Sequence, residues 1–295
     1  MCIILFSFGC KKEQPVFENN TIPPYDEVPT IKIQNYTNRL FIDILGREPL
    51  DSEMDLEVAA LEAGDLSMSV RESLIEKLQF SLAFVEGDSS YNHAYFNKIY
   101  EDTKARLIEG VSDTYIQQEY GIFDFAAFSD SLDGNIAGYE YNRGEANKLK
   151  AIIESKEEYR LNEINIDDMY RRMMFNSIYD EINMNTFNFV NASFDDLYFR
   201  FPTDTEFENA FVIIENNQAA NLFGQIAQNK SEYLDILTTN NEYEEGMIHW
   251  AFLSLLSREP STNESFALLN NFHNSYNLQE VQKVIMMTDE YAGFD

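Results

Sequence analysis

An arginine, a proline and a glutamate recur at one spacing three times along the chain: Arg47-x-Pro49-x-x-x-Glu53, Arg200-x-Pro202-x-x-x-Glu206 and Arg258-x-Pro260-x-x-x-Glu264. A guanidinium near a carboxylate can stabilise charge that develops on a substrate. It can equally pin two backbone segments together as a bidentate ion pair. An active site gathers its groups once, so one pair per repeat points to the second, structural role. The other chemistry-bearing residues are sparse. His93, His249 and His273 stand far apart, which argues against a histidine-rich metal centre. Cys2 and Cys10 are the only cysteines, so beyond Cys10 there is no material for a disulfide, a thiolate zinc site, a cysteine nucleophile or covalently held haem. There is no glycine-rich phosphate loop, and no spacing among the acids singles out a carboxylate pair for hydrolysis. Catalysis is not expected.

One stretch invites a metal reading. Ser129-Asp-Ser-Leu-Asp-Gly-Asn-Ile-Ala-Gly-Tyr-Glu140 partly matches a twelve-residue calcium loop, with Asp133, Asn135 and Glu140 as oxygen donors, Gly134 at the turn and Ile136 at the apolar position. Its first position is Ser129, where such loops carry Asp. The plainer expectation is an acidic loop capped by Gly134, and calcium is the only cofactor the sequence suggests.

The elements that would position these residues read as helices. Each arginine follows a run with Phe and Leu at helical spacing: Leu40-Phe-Ile-Asp-Ile-Leu-Gly, Phe194-Asp-Asp-Leu-Tyr-Phe and Phe252-Leu-Ser-Leu-Leu-Ser. Proline cannot continue such a helix and displaces the residue before it from helical geometry. Thr203-x-x-Glu206 and Ser261-x-x-Glu264 then form capping boxes that open the next helix. Leu50 breaks the box in the first unit, where Asp51 is expected to cap instead. Each unit is expected to close on an aromatic segment: Glu232-Tyr233, Glu290-Tyr291 and, with Ala83 in place of Glu, Phe84. Further helices are expected at 91–108, 114–128 and 143–159, and at 165–182 with Met169, Tyr170, Met173, Met174 and Ile178 as a core stripe. No strand alternation is evident. The expected fold is all-α: repeated helix–corner–helix units behind an extended N-terminal tether. The expected parts are a leader over 1–9, a tether over 10–33, a helical domain over 34–160 with the first unit, and another over 161–295 with the second and third.

Composition limits the partners. Acidic residues number 51 against 21 basic ones, a formal net charge of −30. Such a surface repels phosphate backbones and anionic lipid headgroups, so no nucleic-acid partner is expected. The N-terminus, Met-Cys-Ile-Ile-Leu-Phe-Ser-Phe-Gly-Cys10-Lys-Lys-Glu, resembles the end of a bacterial lipoprotein signal peptide, which implies lipidation of Cys10. Pro15, Pro23, Pro24 and Pro29 follow within a polar stretch suited to a semi-rigid tether. The Leu-Phe-Ile-Asp-Ile-Leu-Gly-Arg-Glu-Pro49 stretch is similar to helical modules of bacterial surface-layer and haemolysin-like proteins, phycobilisome linker domains and planctomycete surface proteins. That resemblance implies a scaffold or linker role and carries over no catalytic residue. The resulting expectation is an outer-membrane lipoprotein, anchored through its lipid at the cell surface, that acts as a scaffold or accessory subunit for a protein partner. Binding of a glycan or peptide is the alternative.

Overall fold

The computed structural model describes residues 28–294. Cys10, the leader 1–9 and most of the tether 10–33 lie outside them. The first helix starts at Thr30, so the tether ends earlier than its composition implied.

The chain folds through α1 (Thr30–Leu45), α2 (Asp51–Ala63), α3 (Met68–Phe80), α4 (Tyr91–Leu107), α5 (Asp113–Asp133), α6 (Ile136–Arg160), α7 (Ile166–Met174), α8 (Ser177–Asn183), α9 (Thr186–Tyr198) and α10 (Asp204–Glu215). A short hairpin, β1 (Ala220–Leu222) and β2 (Gln225–Ala227), precedes α11 (Lys230–Thr239), α12 (Asn241–Leu256), α13 (Thr262–Ser275), α14 (Leu278–Met286) and α15 (Asp289–Ala292). The fold is all-α, as expected, apart from that hairpin. Phe223 and Gly224 both take positive φ at its turn, the geometry a two-residue connection needs. Strands of three residues are too short to show alternation in sequence.

The three proline corners are built alike. Each leading helix (α1, α9, α12) ends one residue before the arginine in a left-handed residue: Gly46 (φ 76°), Phe199 (φ 55°) and Ser257 (φ 55°). Glycine adopts this conformation freely, whereas a side chain costs about 1 kcal/mol. The corner geometry is therefore kept even where the glycine is lost. Each following helix (α2, α10, α13) starts two residues after the proline. Asp51 is the first residue inside α2 rather than its cap, since Leu50 occupies the cap position.

One continuous core runs from Ile33 to Ala292, so the expected boundary at 160/161 does not separate two domains. The sequence misplaced it because the first and third units interlock across the chain. Arg71 of α3 donates to the Met287 carbonyl (2.9 Å), Gln79 to the Gln279 carbonyl (3.1 Å), and Tyr95 to Gln282 (2.7 Å). Tyrosine predominates among the largest fully buried side chains: Tyr36, Tyr95, Tyr100, Tyr170, Tyr179, Tyr233, Tyr243 and Tyr291. Buried tyrosine hydroxyls need partners, and several reach across the chain, as Tyr36 does to the Met286 carbonyl (3.1 Å).

The stripe of Met169, Tyr170, Met173, Met174 and Ile178 is buried, as expected, but 165–182 is two helices. Asn176 makes the break. Its oxygen accepts from the Ile178 and Tyr179 amides while its nitrogen donates to the Arg172 and Met173 carbonyls, satisfying both helix ends at once.

Candidate functional site

The recurring arginines lie at the centres of three equivalent clamps. In the first, Arg47 donates to both oxygens of Glu53 (2.8 and 2.9 Å), to Asp88 (2.8 Å) and to the Glu48 carbonyl (2.9 Å). In the second, Arg200 grips Glu206 (2.9 and 2.8 Å), Glu242 (2.8 Å from Nη2) and the Phe201 carbonyl (3.0 Å). In the third, Arg258 grips Glu264 (3.1 and 2.7 Å), Glu290 (2.6 and 2.7 Å) and the Glu259 carbonyl (2.9 Å). Each guanidinium also sits over the phenylalanine six residues before it: Phe41, Phe194 or Phe252, at 5.6, 5.1 and 5.1 Å. The glutamate of each pair accepts from the backbone amide that opens its helix, on Leu50, Thr203 or Ser261. In the first unit this is half of a capping box, because leucine has no oxygen to return the bond. Pro49, Pro202 and Pro260 all occupy the corner between leading and following helix.

The third member of each clamp corrects the sequence reading of the second unit. Arg200 is met by Glu242, followed by Tyr243, and not by Glu232. Pro202 and Glu242 are 40 residues apart, against 30 for Pro260 and Glu290, and the difference is taken up mainly by the β-hairpin insertion. Tyr233 and Tyr291 each follow their proline by 31 residues, but in the second unit that spacing carries no clamp contact. Glu232 instead accepts from the Gln228 amide (2.8 Å) at the start of α11. In the first unit Ala83 cannot pair, and Asp88, from the loop before α4, takes the carboxylate's place.

Of the two readings of residues 129–140, the structure has the plainer one, a bend at which left-handed Gly134 caps α5. Residues 129–140 are the end of α5 and the start of α6, with Gly134 and Asn135 alone between them. Asn135 caps α6 by accepting from Gly138 (3.2 Å) and donates to Asp130 (2.8 Å), whose second oxygen accepts from Asn142 (2.8 Å). Asp133 and Glu140 are exposed on separate helices. Acids that flank a tight helical turn look like a cation loop in sequence because both need Gly and Asn at the bend. Among the described residues no group of three or more His, Cys, Asp or Glu side chains is placed to hold a metal ion.

One concave site was not foreseen. A cavity of about 400 Å³ opens where α1, α4, α12 and α14 meet, lined by Asp43, Lys98, Asp102, Arg106, Trp250 and Gln282 among others. Burial pushes the Asp43 carboxyl above its usual range against the pull of the Tyr291 hydroxyl and Arg39. Burial likewise raises Asp102, against its Lys98 partner. Arg106 donates to the Asp196 carbonyl and lies over Phe199 (4.5 Å) and Trp250 (5.7 Å). A signal for this site did exist in the sequence. Four residues before each motif arginine stand Asp43 and Ser254, which line the cavity, and Asp196, which does not; the two carboxylates are Asp43, in an otherwise apolar run, and Asp196, beside Asp195. Both accept a tyrosine hydroxyl, Asp43 from Tyr291 (2.8 Å) and Asp196 from Tyr179 (2.7 Å).

These carboxylates set an expected pH profile. Burial holds Asp196 and Asp167 up at about 6. Between pH 6 and 4 the folded chain therefore binds more protons at these sites than the unfolded chain, and stability rises as pH falls. The clamp glutamates behave oppositely. Burial acts on Glu206 to raise it, but Arg200 and the Thr203 amide and hydroxyl win and hold it at about 2. Arg258 and Ser261 hold Glu264 at about 2. Their contribution is complete above about 4.5 and is lost as pH falls towards 2. Thermal melts should accordingly peak near pH 4, between the unfolded values of the two kinds of carboxyl, above the values at both pH 7.5 and pH 3. A monotonic rise from pH 4 to 7.5 would contradict the assignment of the buried aspartates.

Comparison with protein-family models, curated proteins and solved structures finds no match to this chain.

Proposed function

We propose that this chain is a cell-envelope surface lipoprotein acting as a non-catalytic helical scaffold or accessory subunit of an outer-membrane complex, anchored through acylated Cys10. The observation that carries the reading is the fate of its most regular residues. All three arginines and their carboxylate partners are spent on joining a leading helix, a following helix and a distant helix start, which is how a chain builds a stiff body. The similarity of the Leu40–Pro49 stretch to helical surface and linker modules supports the same reading. The apolar run ending at Gly9-Cys10 and the prolines after it support the anchor. No helix among the described residues is long and apolar enough to cross a membrane, and two acyl chains would supply the attachment. The test is mass spectrometry of the N-terminal peptide from membrane fractions. A diacylated or triacylated Cys10, lost together with membrane retention in Cys10→Ser, is the expected result; an unmodified Cys10 in wild type would refute the anchor.

The cavity beside Trp250 favours a second reading, glycan or peptide binding, because an indole wall next to two carboxylates suits a hydroxyl- or amine-bearing ligand. Quenching of the chain's single tryptophan by an oligosaccharide or peptide panel, abolished in Asp102→Asn, would favour it.

A further inference from the structure

The α5–α6 hairpin exposes more apolar surface than its packing against the body uses. Along its 21 residues α5 buries only Ile116 and Ala127, and its main packing partner is α6. On its outer side Ile122, Phe125, Phe128 and Leu132 follow one another at spacings of three, three and four, so they form a single stripe. Phe125 and Leu132 are each 71% exposed, Ile122 60% and Phe128 56%. Gly121 stands beside the stripe with no atom within 4 Å of where a side chain would begin, leaving a gap in it. Ile136 and Tyr141 carry the apolar surface round the tip onto α6. A monomer rarely exposes such a contiguous aromatic patch without a partner for it.

The charges around the stripe select that partner. From Leu107 to Asn142 there are seven acidic residues and no Lys, Arg or His. The nearest cation, Arg143, is engaged by Asp124. Asp133 and Glu140 are exposed at the tip and make no ion pair among the described residues. We infer that the outer face of α5 is a docking surface for a protein segment with an apolar strip bordered by lysine or arginine, a basic amphipathic helix. A second copy would bring one acidic rim against another, and an anionic bilayer would be repelled for the same reason. The inference deepens the scaffold reading by naming the chemistry of the subunit it holds. Its test leaves the anchor aside, so failure at Cys10 and failure here are separate results.

The test uses the full-length chain in mild detergent and two synthetic amphipathic helices about five turns long, one of Leu and Lys and one of Leu and Glu. Fluorescence anisotropy should show the Leu/Lys helix binding the wild type about tenfold more tightly than it binds Phe125→Ser/Phe128→Ser/Leu132→Ser, and weakening as salt rises. The substitutions leave net charge unchanged, so general attraction to an acidic protein cancels in the comparison. All three side chains are exposed, and an unchanged circular-dichroism melt verifies the fold; if the triple variant melts early, Phe125→Ser alone is compared. Equal binding by wild type and variant would overturn the inference, as would equal binding of the Leu/Glu helix. A concentration-dependent dimer in sedimentation that the variant loses would overturn it in favour of a second copy.

Discussion

Gly246→Ala is expected to destabilise the protein by about 2–4 kcal/mol, although alanine is the better helix former by about 1 kcal/mol. Gly246 lies within α12, where the helix backbone crosses the end of α9. A methyl group there would fall well inside contact distance of the Leu197 carbonyl oxygen and 3.1 Å from its carbon. Those atoms are backbone and cannot rotate away, so the two helices must move apart, opening the core around Leu197 and Tyr198. Gly121 and Gly144, in α5 and α6, supply the control. Nothing lies within 4 Å of either, so alanine there should stabilise by up to about 1 kcal/mol. Denaturant titrations of the three variants measure this directly. If Gly246→Ala stabilises like the other two, the close crossing of α9 and α12 is not a constraint on the fold.

How far the sequence announced this structure depends on the range of each interaction. The corners were legible because their causes are local. A left-handed residue ends each leading helix three residues before the proline, a capping box spans four residues, and the phenylalanine under each guanidinium is six residues away. The third ligand of each clamp was not legible, because Asp88, Glu242 and Glu290 arrive from 32 to 42 residues downstream of their arginines. In between, the second unit carries a β-hairpin that shifts its register and the first unit has exchanged its glutamate for Asp88. Gly246 was invisible for a different reason: a glycine in a helix says that something is close without saying what.

The hairpin was legible in part. Gly134 caps α5 as the plainer reading of that stretch had it, but the spacing of isoleucine, phenylalanine and leucine on α5 does not tell a core face from an outer one. Only the position of α6 behind that helix shows which it is. The aspartates four residues before the motif arginines fall between these cases. Asp43 and Asp196 occupy one repeat position, but the buried tyrosines that hold them come from α15 and α8, which no local pattern connects to the motif.

The three clamps should differ in strength in the order of their burial. The arginine side chains are 23%, 33% and 34% exposed for Arg47, Arg200 and Arg258. Their glutamates are 10%, 19% and 37% exposed in the same order. Exposed ion pairs contribute about 0–1 kcal/mol, whereas removing one partner of a buried pair costs about 3–5 kcal/mol because the other charge is left without compensation. Arg47→Ala would strand Glu53 among the Leu50 amide and the Tyr91 hydroxyl (2.7 Å) and remove the cover over Phe41. Allowing for partial solvation, the loss should be about 2–4 kcal/mol, and roughly 5–10 °C in melting temperature for a chain of this size. Arg258→Ala should cost about 1 kcal/mol, with Arg200→Ala between them. Lysine should rescue little at position 47, since a point charge cannot reproduce a fork that holds Glu53 with two nitrogens and Asp88 with a third. Thermal melts of the four variants in one buffer decide the matter. Equal losses at all three sites, or full rescue by Arg47→Lys, would mean that the charge of the arginine matters and its geometry does not.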